Sequence, residues 1–338
     1  MELKVELENP YKLRGGLPYW LRIYTLYPDS PRKNVFRAIF RFLYHLARVY
    51  GFFRIKTGNH KLFPIYFDGS TKIRARDTNS QFSSVYLKEY FQVYEPDVSS
   101  VLQYFLREGD VLADIGANWG HHSFQVIKRN NVNVLAFEAN PLVVEDINRI
   151  ACDLNVEDKI QVFDCALSEK NGTTELIQSY FESGLASIEQ SVFEKRKKGT
   201  ISKLHQLFKL LPIKQFVATR SFDSFNFKKL NFMKIDAEGA EIGILKGSRD
   251  SINEFKPYIC FEYHAFHVGD LQGLNQFSNF FDDLGYVMYQ INVEKNKSSN
   301  FVNRVFLKKL KINNLKEGTH HNILAIHSSK TPPSLSLG

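Results

Sequence analysis

Cysteine is scarce. The chain of 338 residues holds three, Cys152, Cys165 and Cys260. They are too few and too apolar in context for a disulfide framework, and they read as three buried free thiols. No run of 18 uncharged apolar residues occurs, so no segment is expected to span a membrane. The opening residues, MELKVELENP, lack an apolar h-region, so no signal peptide is expected and the default location is the cytoplasm. Also missing is G-x-G-x-x-G, the turn that seats a dinucleotide pyrophosphate on a helix N-terminus. That absence counts against a nicotinamide-dependent oxidoreductase. There is no internal repeat and no long low-complexity tract.

What is present is an uneven charge. The formal net charge is +8, but residues 1–76 hold 15 Lys/Arg against 5 Asp/Glu, and residues 190–220 hold 8 against 1. The rest of the chain is net acidic. Basicity confined to two segments argues against a general nucleic-acid binder and for local anionic contacts, such as a membrane surface or a charged substrate. With 43% hydrophobic residues the chain is long enough for a sizeable core.

The organisation follows from that asymmetry. Residues 1–76 read as a basic, aromatic extension. Within it, Ser30-Pro31 resembles an N-cap and first helical position, and Gly51 a stop, so a helix is expected over 31–50. Arg37, Arg41, His45 and Arg48 recur on one face, and Phe36, Ile39, Phe40, Leu43 and Leu46 on another. This helix either docks on the domain or lies on an anionic membrane surface at the inner face of a membrane. From 77 to 330 strands and helices alternate, with a basic insert at 190–214 and a tail at 331–338. Strands are expected near 111–116, 133–138, 160–166, 231–236, 258–263, 285–292 and 322–327, with a long irregular middle after the third. Such alternation implies right-handed crossovers and a mostly parallel sheet, with ligands bound beyond the carboxyl ends of the strands.

Four acids fall at those ends: Asp114, Glu138, Asp236 and Glu262. Asp114 leads into Gly116, Asn118 and Gly120, a turn whose glycines permit positive φ and close backbone approach. With Asn in place of a second glycine and an acid ahead of it, the turn suits S-adenosylmethionine (SAM), which carries an ammonium and a sulfonium but no phosphate. An ordinary strand-to-helix turn is the bland alternative. Glu138 follows Gly116 by about 20 residues and ends the second strand, where an acid accepts hydrogen bonds from ribose hydroxyls. In KIDAEGAEIGILKG, at 234–247, charges border an apolar strand. Lys234 is expected to pair there with Asp236 or Glu241, because a buried charge needs a partner.

In order, DIGANWG, FEANP, CALSEKNG, RSFDSF, MKIDAEGAEIGILKG and ICFEYHAF resemble the FkbM-type SAM-dependent methyltransferases, over roughly 94–262 with a closing strand near 322–327. The resemblance implies an α/β, Rossmann-like class I methyltransferase fold. Its sheet has seven mostly parallel strands with helices on both faces. The resemblance also implies O-methylation, often of sugars or secondary metabolites. Asp114, Gly116, Asn118, Gly120, Glu138 and Ala166 become the cofactor-side candidates. The family commonly has Pro where this chain has Ala139. The extension and the insert lie outside the resemblance.

An alcohol attacking a methyl donor must lose its proton, so a base at the strand ends is required. Asp236 and His264 rank first, with Glu262, Lys234 and the adjacent His267 nearby. Asp236 and Glu262 are also the lesser alternative, ligands for Mg²⁺. The expected acceptor is a sugar hydroxyl of a glycan or lipid-linked precursor, anionic in part. The competing acceptor is a small secondary metabolite, and the competing class is a non-catalytic binding protein on the same fold.

Overall fold

The computed structural model describes residues 2–3, 60–67, 71–76, 79, 94–179, 182–187, 212–264, 270–295, 302–310 and 320–330. The expected helix at 31–50, His267 and nearly all of the insert at 190–214 lie outside the described residues.

The central sheet is built on strands β4 (Val111–Ile115), β5 (Asn133–Glu138), β6 (Ile160–Asp164), β11 (Phe232–Ile235) and β12 (Tyr258–His264). These five pair in parallel, in the order β6-β5-β4-β11-β12. β15 (His320–His327) then runs antiparallel between β12 and β13 (Tyr286–Lys295). These seven strands are the class I methyltransferase sheet expected from sequence. The sheet extends beyond them to nine, through β14 (Val302–Lys309) and the two-residue β1 (Glu2–Leu3), both antiparallel additions. Among the side chains of β14 that are described, Val305 and Leu307 are buried, next to exposed lysines, so its alternation is faint in the sequence.

Two apolar clusters cover the two faces of this sheet. One joins α1 (Pro96–Phe105), α2 (His121–Asn130) and α3 (Pro141–Leu154) to residues such as Leu112, Phe232 and Cys260. The other joins α4 (Glu241–Lys246), α5 (Arg249–Phe255) and α6 (Asp270–Asp283) to Ala113, Met233, Ile235 and Phe261. Strand residues alternate between the clusters because successive side chains in a strand point to opposite faces. α3 starts where Asn140 accepts a hydrogen bond from the Leu142 N–H and Pro141 supplies the first-turn φ.

Two sequence expectations are corrected here. Among the described residues, the middle is not irregular. β7 (Ala166–Leu167), β8 (Gly172–Ser179), β9 (Glu182–Ser187) and β10 (Pro212–Arg220) form a separate sheet in the order β7-β10-β8-β9. Its core among the described residues is small, Ala166, Leu176 and Val217, so the periodic signal is weak. The cysteines are not all buried either. Cys165 and Cys260 are, but Cys152 is exposed on α3.

The basic extension also reaches the core. β2 (Leu62–Phe67) and β3 (Thr71–Arg76) form a hairpin whose Ile65, Phe67, Ile73 and Ala75 join the α3-side cluster. Arg76 carries this docking further. It bonds the buried Asp146 of α3 at 3.1 and 2.9 Å. Asn79 and Arg149 complete the surround of that carboxylate.

Candidate active site

Register builds the site. Asp114, Lys234 and Cys260 are paired neighbours across β4, β11 and β12, so their side chains share one face and one row. Period two places Gly116, Asp236 and Glu262 in the next row, at the carboxyl ends of the strands. The lower row is sealed. Asp114 is fully buried and accepts from Ser123 at 2.6 Å and from the Lys234 ammonium at 3.1 Å. Burial alone would lower the Lys234 pKa, but Asp114, Asp236 and Glu95 outweigh it and the pKa rises. Of the two pairings expected for Lys234, the one with Asp236 exists, loosely, at 3.8 Å. Glu241 instead turns back on its own loop and accepts from the N–H groups of Ala237 and Gly239 at 3.1 Å.

The upper row opens on a partly open cavity of about 100 Å³. Gly116, Asn118, Glu138 and Ala166 all line it, as do Asp236, Glu238 and the apolar Phe137, Val143, Leu167 and Leu176. Two of the cofactor-side candidates do not line it. Asp114 lies beneath the turn, its carboxylate committed to Ser123 and Lys234. Gly120 caps α2 at φ 85, where a Cβ would press on the Phe124 ring. Gly116 serves a related end. At φ 70 it lets β4 turn against the neighbouring loop, and a Cβ there would overlap the Asp236 carbonyl oxygen. The close approach inferred for this glycine is thus first of all to the chain itself. Asn118 takes a left-handed φ of 52, which asparagine tolerates, and its side chain accepts from the Trp119 N–H at 2.8 Å.

Glu138 ties the turn to the second strand. Its two oxygens accept from the Asn118 and Asn140 backbone N–H groups at 2.9 Å each. Burial raises its pKa against the pull of those donors. A carboxylate has about four acceptor positions, so acceptor capacity remains for a ligand's hydroxyl.

Asp236 lies on the wall between this cavity and a second, narrow hollow of about 10 Å³, room for about one water or one hydroxyl. That hollow is lined by Glu95, Lys234, Glu262 and Asn322. Burial and the nearby Glu262 push the Asp236 carboxyl well above the usual carboxylate range, with Lys234 opposing. Asp236, Glu238 and Glu262 each bring a carboxylate oxygen within 4.8 Å of the others. By ligand type they would suit a hard cation such as Mg²⁺, whereas Lys234 already sets a positive charge beside Asp236. His264 ends β12 opposite His320, but its side chain lies outside the described residues. The sequence reading passed over Glu95, His122, Glu238 and Asn322. For Glu95 a signal existed, an acid immediately before the proline that opens α1.

The profile of the methyltransferase FkbM domain matches residues 114–288, over half of the chain and the whole of this site except Glu95 and Asn322. The chain belongs to the FkbM methyltransferase family. That family is one of methyltransferases. Among curated proteins no match is found. Three solved structures illustrate the likeness. One is the methyltransferase FkbM of Methylobacillus flagellatus, 18% identical, with 59% of this chain and 44% of that one covered and a TM-score of 0.36. Another is the precorrin-6y C5,15-methyltransferase of Geobacter metallireducens, 14% identical over 70% and 90% of the chains, at 0.37. The third is M. capricolum TrmK with S-adenosyl-homocysteine, 8% identical over 69% and 68%, at 0.36. This FkbM family member thus spans less than half the length of the Methylobacillus protein.

Proposed function

We propose that this chain transfers the SAM methyl group to a hydroxyl oxygen, and that the acceptor is a sugar in a glycan or a lipid-linked precursor. One observation carries the reading: a carboxylate of raised pKa, Asp236, borders both the cavity that Glu138 lines and the second hollow. Glu138, with acceptor positions left, is suited to a ribose, and the Phe137, Val143 and Leu176 walls to a purine. When bound, SAM supplies an electrophilic methyl group, whose bond to sulfur breaks as the bond to the acceptor oxygen forms. Asp236 takes the hydroxyl proton as that oxygen attacks. Its raised pKa brings it nearer working pH, where a general base is most effective. Lys234 stays charged and holds Asp236 in place. Holding the acceptor oxygen in line with the donor accounts for much of the rate.

The anionic part of a lipid-linked acceptor falls, in this reading, to the basic insert. Replacing Lys195, Arg196, Lys197 and Lys198 with Ser then raises the acceptor KM and leaves SAM affinity intact. The helix expected at 31–50 carries the enzyme to an anionic membrane surface on the cytoplasmic side. Co-sedimentation with anionic but not neutral vesicles, lost in a chain starting at Gly51, tests that. The main test is incubation with methyl-labelled SAM and the glycan and lipid fractions of the source cell. Label in a sugar ether supports the reading, and label confined to small metabolites overturns it.

A further inference from the structure

The second hollow holds a carboxylate that the mechanism so far leaves without a task. Glu95 precedes α1 with a left-handed backbone, φ 42 and ψ 63, an uncommon and costly state for a residue with a Cβ. Its Oε2 lies 2.9 Å from Nε2 of His122, a buried residue at the start of α2. The other ring nitrogen of His122, Nδ1, finds no hydrogen-bond partner among the described residues. The histidine is therefore spent on Glu95, with the proton on Nε2. Burial raises the Glu95 pKa, but the hydrogen bond from His122, with another from Tyr94 and the nearby Lys234 charge, outweighs it and brings it down to about 2. Asp236, on the same hollow, moves the opposite way. Two carboxylates at one site whose environments drive them apart have different tasks. One accepts a proton, and the other stays ionised as a pure hydrogen-bond acceptor.

We propose that Glu95, positioned by His122, binds a second hydroxyl of the acceptor, so that the enzyme selects a polyol with two neighbouring hydroxyls. This rests on the sugar reading above. The methylated hydroxyl gives its proton to Asp236. The neighbouring hydroxyl donates a hydrogen bond to Glu95 and keeps its proton. A phosphate or carboxylate at that second position would face an ionised Glu95 with no donor of its own, and is rejected. A phenol or isolated alcohol would leave Glu95, whose side chain is 31% exposed, without that bond.

The test uses the full chain, methyl-labelled SAM, a panel of methyl hexosides and the monodeoxy analogue of each. For any hexoside labelled, removing the hydroxyl next to the methylated position is expected to lower kcat/KM ten- to hundredfold. Glu95→Gln is expected to lower kcat/KM for the parent hexoside by a similar factor and to lose no more on the deoxy analogue. SAM affinity should stay within twofold. His122→Asn, which acts only through Glu95, is expected to erase the same discrimination between parent and analogue. Equal rates of wild type on parent and deoxy hexosides overturn the proposal alone, whether or not the variants fold. Additive losses in Glu95→Gln overturn it as well. If neither the hexosides nor the sugars of the glycan and lipid fractions take up label, the sugar reading falls, and this proposal with it.

Discussion

Asp146 and Asp236 are two carboxylates in one domain, provided for in opposite ways. Asp146 is fully buried on α3 and meets two guanidinium groups and an amide, from Arg76, Arg149 and Asn79. Asp236 is one-third exposed at the mouth of the sheet, and its nearest described cation, Lys234, stands 3.8 Å away and is bonded more closely to Asp114. A buried charge fully matched by partners holds structure together, here a hairpin to a helix. A charge left under-matched in a cavity has its protonation still to be decided, and that is what a base requires. The same chain thus separates the charges it uses for assembly from those it keeps for chemistry.

The sharpest way to break the comparison is to neutralise each carboxylate. Asp236→Asn is expected to lower turnover by about 10²–10⁴, the usual worth of a general base. Stability should be unimpaired, because little binds that charge. The acid limb of the wild-type pH–rate profile should lie well above the ordinary carboxylate range, since Asp236 must be deprotonated to act, and should vanish in the variant. Near-normal turnover of a folded Asp236→Asn would move the base elsewhere. Asp146→Ala should do the reverse. Leaving the buried Arg76 without its carboxylate is expected to cost about 3–5 kcal/mol in denaturant unfolding, while the folded fraction binds SAM normally.

Glu241 refines the contrast, being buried like Asp146 but held, among the described residues, by backbone N–H groups. Burial pushes its carboxyl up to about 7 from an ordinary 4.5. A raised folded pKa means that the stabilising contribution is complete below about pH 4.5 and is lost as pH rises through about 7. Across that window the wild type should lose up to about 3 kcal/mol from this group. Glu241→Gln should lack that slope, which urea titrations at several pH values will read. The smallest effect expected is that of EDTA. With Lys234 beside Asp236, chelation should leave turnover unchanged, and loss restored by Mg²⁺ would make Asp236, Glu238 and Glu262 metal ligands instead.

The fold was legible where burial is strongest. The strands 133–138 and 258–263 and the helix 141–154 were placed to within a residue, because long apolar runs and a Pro N-terminus mark them. β8 and β10 escaped because they alternate over a core of only a few side chains, and Phe216 of β10 is itself exposed. At the site, strand-end acids were readable from position alone, and Gly116, Asn118, Glu138, Ala166 and Asp236 do line the cavity. What could not be read was partnership. Register across β4 and β11, invisible in one dimension, turns Asp114 inward to Lys234 and removes it from the cavity wall. Glu95 and His122 meet from segments 27 residues apart, with no motif between them.

The central claim is that the end of the sheet divides into a cofactor side held by Glu138 and a chemical side held by Asp236. Calorimetric titration of SAM into the wild type, Glu138→Ala and Asp236→Asn tests it most directly. One SAM per wild-type chain is predicted, with affinity ten- to hundredfold weaker in Glu138→Ala, the worth of about one or two charge-assisted hydrogen bonds, and unchanged within a few-fold in Asp236→Asn. Wild-type affinity in a folded Glu138→Ala variant, or an equal loss in both variants, would contradict the division.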